Sequence, residues 1–532
     1  MGEATNERRH RGRIAAPGLA LGPLVRLPEP RLTPAEAAAA PEVEQARLEA
    51  AIASARAAID ALAAGEDAAM AAEILAFQQE MLADPALAEA AIEAIGEGLE
   101  AACAWQQAMA AQIAVFAGDD DAYFRARAAD LEDLRDRVLL ALVGGDADPA
   151  ILPDGAVVLA HDLTPSRFLA LEWANLGGAA LEAGNVASHV AMLARARGVP
   201  LLVDLGPVEA VDGAALLDAE GGFLVTTPGP ATLGRFAGRL AAAQAEARAA
   251  ARLVASPAVT AGGRAIAVMV NVDDPSSVPD DLLRAGDGVG LLRSEFLFIG
   301  RAELPDEETQ FQAYRRLLER LGGRPLILRT LDIGGDKPLP ALDLPVETNP
   351  FLGLRGLRLC LARPELFRPQ LRAAVRAAAR GPLSIMLPMV SRAAEVEAAR
   401  ALLAIEAASL GLPVPPLGIM VETPAAALAL DTMPVDFASI GSNDLTQYVM
   451  AAARDARGPV ADLADPLDPA VRRLIRLVVE AARDRGLPLS LCGDMAADRE
   501  GLETLLEAGI ERFSVPPAAL GRVKLWISCY NR

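Results

Sequence analysis

Lysine is almost missing from this sequence of 532 residues: only Lys337 and Lys524 carry ammonium groups, and nearly all positive charge is arginine. With the excess of alanine, this reads as codon bias more than as chemistry. Cysteine is scarce too. Cys103, Cys360, Cys492 and Cys529 stand far apart with no C-x-x-C spacing, which argues against a disulfide framework and a thiolate zinc site. Tyr-Asn-Arg follows Cys529, a poor lipidation signal. No apolar run reaches the length of a membrane span, so direct membrane insertion is not expected. The start, Arg8-Arg9-His10-Arg11 and then a stretch broken by Pro17, Gly18 and Gly22, makes a poor signal peptide. Together these absences indicate a reduced, cytoplasmic protein. Positive charge is in deficit, with a net charge of -21, which argues against nucleic acid as a partner. Apolar residues make up 52% and charged residues 23%, which excludes disorder along the whole chain. The length calls for two to four domains.

Residues 12 to 27 look strand-like and rich in glycine. Thr33-Pro34-Ala35-Glu36 then forms a capping box with proline at the first helical position. Val43, Leu48, Ile52, Ala55, Ile59 and Leu62 recur at three-four spacing, an amphipathic helix. Met70, Ile74, Phe77 and Met81 mark a second helix, Asp84-Pro85 caps a third, and another runs from about Ala122 to Val143. Residues 30 to 145 therefore read as a helical bundle. Between residues 34 and 100, 14 acidic residues stand against only Arg47 and Arg56, so more than half of the net charge lies here. Such a surface is either a solvated face or a docking surface that steers a basic partner.

Near residue 147 the pattern becomes α/β: short apolar runs (156–160, 201–203 and 223–226) alternate with Gly-rich turns and helical stretches. An alanine-rich helix, about Ala231 to Val254, leads out, and Ser256-Pro257 ends it. Eight strand-like runs then alternate with helical patterns: 265–271, 288–293, 326–332, 383–390, 417–422, 437–443, 487–492 and 512–515. Eight strand-helix units over this length match a (β/α)8 barrel. Most runs end in Asn271, Arg293, Arg329 with Asp332, Glu422, Asn443 with Asp444, or Cys492. Strand carboxyl ends gather on the face of a barrel where chemistry is done.

Arg293, Arg329, Lys337 and Arg454 bring cations to that face, and Glu422 and Asp444 bring carboxylates. Two carboxylates with open positions suit Mg2+ shared with a substrate phosphate, and arginine forks suit phosphate and carboxylate together. Inter-strand salt bridges are the plainer alternative. Separately, Gly184 to Arg195 passes from a loop into a helix, with His189 in the first turn. Unpaired amides there favour a phosphate, and an imidazole nitrogen is a nucleophile near neutral pH. A histidine at a helix start can equally be structural. His161 and His10 have no comparable setting.

Several long blocks resemble one family closely: Tyr123 to Val138, Gly288 to Phe298 (GVGLLRSEFLF), Arg329 to Lys337 (RTLDIGGDK), Asn349 to Arg355 (NPFLGLR), Gly418 to Ala427 (GIMVETPAAA) and Ser439 to Tyr448 (SIGSNDLTQY). From Ala16 to Lys524 the chain resembles enzyme I of the bacterial phosphoenolpyruvate-dependent sugar phosphotransferase system. The resemblance implies a multidomain α/β protein. A swivelling phosphohistidine α/β domain (1–29 and 146–230) would carry an inserted helical domain (30–145) that binds the phosphocarrier protein HPr. A helical linker (231–257) would lead to a phosphoenolpyruvate-binding and dimerising TIM-type barrel (258–532). It implies that His189 is phosphorylated, that Arg293 and Arg329 grip the substrate phosphate with Lys337 and Arg355 in the same pocket, and that Glu422 and Asp444 hold Mg2+. Asn443 and Arg454 would bind the phosphate and carboxylate side, and Cys492 would exchange a proton at the methylene carbon. The chain departs from the family pattern at Ala187, where threonine is usual, at Ala453 for aspartate, and at Asp494 for glutamate. Two other readings share these features. One is an ATP-dependent dikinase or phosphoenolpyruvate synthase relative, although residues 1 to 145 lack a Gly-rich phosphate loop. The other is a catalytically idle regulator that binds HPr.

Overall fold

Three-four apolar spacing produces five helices in the computed structural model: α1 (Pro41–Ala63), α2 (Ala68–Ala83), α3 (Ala86–Gly96), α4 (Ala101–Ala117) and α5 (Ala122–Val143). The structure describes residues 7–27, 38–63, 68–117, 122–143, 152–186, 188–209, 213–299, 303–334, 342, 347–453 and 458–531. Leu48 and Ile59 of α1, Ile95 of α3, Trp105 and Met109 of α4, and Leu131 and Leu134 of α5 are fully buried together. The expected capping box at Thr33 to Glu36 lies outside the described residues, as do Ala187, Lys337 and Arg454.

The chain forms two compact units, Met1–Ala243 and Gln244–Arg532. In the first, an eight-stranded sheet consists of β1 (Arg8–Arg11), β2 (Arg13–Ala16), β3 (Leu19–Arg26), β4 (Val157–Ala160), β5 (Gly178–Leu181), β6 (Leu201–Val203), β7 (Ala214–Asp218) and β8 (Phe223–Thr226), in the order β1-β8-β7-β3-β4-β5-β6-β2. The strands β3 to β6 run parallel, and the others pair antiparallel at the two sides. Helices α6 (Pro165–Ala170) and α7 (His189–Arg197) pack on one face around Phe168, Leu181, Val190 and Leu201. Helix α8 (Pro230–Leu253) follows β8. The bundle is pinned to this layer by a buried carboxylate. Asp133 of α5 accepts hydrogen bonds from the Ser166 N–H at 3.1 Å, the Ser166 hydroxyl and Gln78 Nε2 at 2.9 Å. Fully partnered, such a group costs little to bury.

The second unit begins with β9 (Ala258–Val259), antiparallel to β10 (Ala265–Val272). Then follow β11 (Val289–Arg293), β12 (Leu326–Arg329), β13 (Leu383–Leu387), β14 (Leu417–Val421), β15 (Ala438–Gly441), β16 (Leu489–Cys492) and β17 (Arg512–Val515). The strands β10 to β17 are parallel, and β10 pairs with both β11 and β17, so the eight close into a barrel. Each overlaps one of the eight runs read from the sequence. Leu291, Met386, Met420 and Cys492 cluster together. Gly418 allows a close approach: a Cβ there would stand 2.6 Å from the Phe437 ring.

Lys524, the one lysine among the described residues, is 3% exposed and donates to three carbonyls, those of Val254 and Ser256 at 2.8 Å and of Ala285 at 2.7 Å. Its three donors are matched to three half-buried acceptors, and burial lowers its pKa. Lys524→Met should therefore leave three part-buried carbonyls short of a partner and destabilise this unit by about 2 kcal/mol. Calorimetric unfolding checks this, and an unchanged transition would show that water replaces the ammonium group without penalty. No helix among the described residues is long and apolar enough to cross a membrane. All four cysteines are free thiols.

Candidate active site

Parallel pairing places the strand-end residues side by side. Arg293 ends β11 and Arg329 ends β12, and the two are direct register partners. Arg329 is buried, donates from Nη2 to Glu295 Oε1 at 2.6 Å, and holds Nη1 3.2 Å from Asp332 Oδ2. Burial alone would depress its pKa, but Glu295, Asp332 and Glu422 outweigh that, so the guanidinium stays charged. Arg293 Nη1 lies 3.1 Å from Asp273.

Asp332 also binds Arg355, accepting from Nε at 3.2 Å and from Nη2 at 2.9 Å, a bidentate fork. Arg355 Nη1 donates to Asp444 Oδ1 at 3.3 Å and to the Tyr448 hydroxyl at 3.2 Å, and that hydroxyl in turn donates to the Phe351 carbonyl at 2.7 Å. A line of alternating charge thus runs Glu295, Arg329, Asp332, Arg355, Asp444.

Glu422 follows β14 and is 1% exposed. Its Oε1 accepts from the Met389 N–H at 2.6 Å, in a turn where Met389 itself adopts φ +57°. Burial pushes its carboxyl well above the ordinary range, and Asp444 and Asp332 add to the rise, against Arg329 and the Met389 N–H. The site therefore has a deficit of positive charge beside Glu422, which a cation would correct. Among the described residues no group of three or more His, Cys, Asp or Glu is arranged to hold a metal. A carboxylate pair of this kind, Glu422 with Asp444, is a donor set that would fit a divalent cation keeping several of its waters.

Asn443 and Asp444 occupy the first turn of the helix Ser442–Met450, directly after β15. Asn443 is locked by a reciprocal pair: Nδ2 donates to Asp494 Oδ2, and Oδ1 accepts the Asp494 N–H, both at 3.1 Å. The shorter aspartate therefore still orients the amide. Cys492, the last residue of β16, is 3% exposed and accepts a hydrogen bond from the Ser439 hydroxyl at 3.4 Å. Burial pushes its thiol up, and Glu422 does the same; Ser439, Arg329 and Arg293 act in the opposite sense. The result is a protonated thiol at neutral pH. Asn443 and Asp494 also line a cavity of about 410 Å³ with Thr446, Gln447, Leu467 and Met495.

The barrel face thus gathers Arg293, Arg329, Arg355, Glu422, Asn443, Asp444 and Cys492. Sequence reasoning missed two residues there, Glu295 and Tyr448. Both lie inside blocks that carry the resemblance, two positions after Arg293 and at the end of Ser439 to Tyr448, and that was the available signal.

His189 stands in the first unit, as the first residue of α7. Ser188 is its N-cap and accepts the Ala191 N–H at 3.2 Å. Its Nδ1 lies 3.4 Å from Oδ1 of Asp130, a fully buried carboxylate on α5, while the ring itself is partly exposed. A residue of the bundle thus touches the candidate nucleophile.

Comparison with known proteins agrees along the chain. Residues 11–127 match the N-terminal family of PEP-utilising enzymes, 152–222 their mobile domain, and 247–531 their PEP-binding domain. A phosphoenolpyruvate-protein phosphotransferase of Geobacillus stearothermophilus is 38% identical over 98% of this chain and 93% of its own length. That of Priestia megaterium is 37% identical over 96% and 92%. A multiphosphoryl transfer protein of Rhodobacter capsulatus is 39% identical over 85% of this chain and 55% of its own length.

Proposed function

This chain belongs to the phosphoenolpyruvate-protein phosphotransferase family, and we propose that it moves the phosphoryl group of phosphoenolpyruvate to His189 and on to HPr, the first step of sugar uptake by the phosphotransferase system. The observation that carries this reading is the barrel face, where paired arginines, a carboxylate pair and a protonated thiol converge. Phosphoryl transfer needs positioning and charge neutralisation above all.

Arg293 and Arg329 hold the phosphate, a role that the family resemblance extends to Lys337. Asn443 and Arg454 hold the phosphate and carboxylate side. Arg355 turns three nitrogens toward Asp332, Asp444 and Tyr448, so it orders the pocket. Glu422 and Asp444 hold Mg2+, which supplies charge neutralisation at the phosphate when bound. The imidazole of His189 attacks phosphorus: the N–P bond forms, the enol ester P–O bond breaks, and enolpyruvate leaves. The Cys492 thiol then gives its proton to the methylene carbon, yielding pyruvate, and the thiolate takes a proton from water. The acidic bundle presents phospho-His189 to HPr, whose basic face it attracts. The reading includes a homodimer formed through the barrel and a cytoplasmic location, in keeping with free cysteines throughout.

Labelled phosphoenolpyruvate tests the proposal. With Mg2+, an acid-labile label should appear on the His189 peptide and pass to added HPr, and EDTA should stop the loading. Loading from ATP would favour the dikinase reading. No label on this chain or on HPr would favour an idle regulator. Loading insensitive to EDTA would remove Glu422 and Asp444 as metal ligands.

A further inference from the structure

We propose that Glu295 is a positioning residue that aims Arg329 at the transferring phosphoryl group; this rests on the phosphoenolpyruvate reading above. Glu295 lies in the single helical turn Ser294–Leu297 right after β11 and is 3% exposed. One of its oxygens, Oε1, accepts from Arg329 Nη2 at 2.6 Å and from the backbone N–H of Asp332 at 3.2 Å. Glu295 thus fixes the guanidinium and also the main chain of the residue that holds its other corner, since Arg329 Nη1 is 3.2 Å from Asp332 Oδ2.

Glu295 Oε2 and Arg329 Nε are both buried and both without a hydrogen-bond partner. An arginine-carboxylate pair built for stability alone closes into a two-pronged fork, which would satisfy both atoms. Here the guanidinium is held by its two terminal nitrogens, to Glu295 on one side and Asp332 on the other, and Nε–H remains uncommitted in a water-poor setting. A donor fixed in advance in such a setting is worth far more to a developing phosphoryl charge than one that must first reorient. Held at both terminal nitrogens by buried carboxylates, the guanidinium is restrained in advance of any ligand.

Charge and orientation predict opposite results, which makes the idea testable. If Glu295 acted through charge alone, removing it would relieve repulsion of the substrate phosphate and lower KM. Positioning predicts loss. Glu295→Ala should lower kcat/KM for phosphoenolpyruvate about 100-fold. Glu295→Gln, which keeps an acceptor at the same reach, should lose only about tenfold. Glu295→Asp keeps the charge but withdraws it by one methylene, and should resemble the alanine variant. Passage of phosphoryl from loaded His189 to HPr does not use this pocket, so its rate should equal wild type in all three.

Steady-state kinetics with phosphoenolpyruvate, together with the carrier half-reaction after loading with excess substrate, decides the matter. A lower KM in Glu295→Gln, full activity in Glu295→Asp, or kcat/KM of Glu295→Ala within twofold of wild type would each overturn the proposal. So would equal slowing of both half-reactions, the mark of a general folding defect. If wild type itself takes no phosphoryl group from phosphoenolpyruvate, the functional reading fails instead.

Discussion

His189→Ala should take no phosphoryl group from phosphoenolpyruvate, a loss of about 10⁴-fold or more, because the acceptor atom itself is gone. Stability should hardly change. The helix start keeps its cap, since Ser188 and the Ala191 N–H are untouched, and a partly exposed ring gives up little packing. The one structural debt is the contact with Asp130, whose carboxylate stays buried. His189→Gln, which retains a polar group at that place, separates this debt from the chemical loss. Mass spectrometry of the intact chain after incubation with substrate reads the outcome. A phosphoryl group still found on either variant would mean that another residue is the acceptor.

The second large effect is expected at Cys492. Cys492→Ala should lower kcat for pyruvate formation by about 10²–10⁴-fold, the range for losing a positioned acid, with KM within about threefold. The cavity it leaves is small, and the thiol packs among Leu291, Met386 and Met420. The pH dependence follows from the direction of the shift. An acid must be protonated to act, and burial raises the thiol above its ordinary value. Activity should therefore persist as pH rises through about 8.5, where an ordinary thiol ionises. Pyruvate production measured from pH 6 to about 10, with solvent deuterium followed into the methyl group, checks both points. An undiminished kcat, or an activity that falls away at the ordinary thiol pKa, would remove Cys492 from the role.

Why the barrel was legible and parts of the first unit were not has a physical cause. Most barrel strands are short apolar runs largely buried on both faces and flanked by glycine or proline, a pattern that survives without tertiary context. By contrast α4, not anticipated from the sequence, is nearly half alanine, and its buried stripe of Trp105, Met109 and Ile113 stands out little against that background. Strand β1, Arg8–Arg11, has no apolar residue at all and exists because its backbone pairs with β8. Strand β5 is glycine and alanine with one leucine, so its burial comes from its neighbours.

The same division runs through the site. Residue type and place at strand ends, read one position at a time, indicated that Arg293, Arg329, Glu422 and Asp444 face one mouth and that the ligand is an anion. Which carboxylate meets which guanidinium was settled only in three dimensions. Arg355 and Asp444 are 89 positions apart, and Glu295 and Arg329 are 34 apart, each pair brought together by loops whose ends the barrel closure fixes. Along a chain, side-chain chemistry and local periodicity are visible because they depend on near neighbours. Pairing between distant charges depends on distance and on exclusion of water, and both arise only when the strands close.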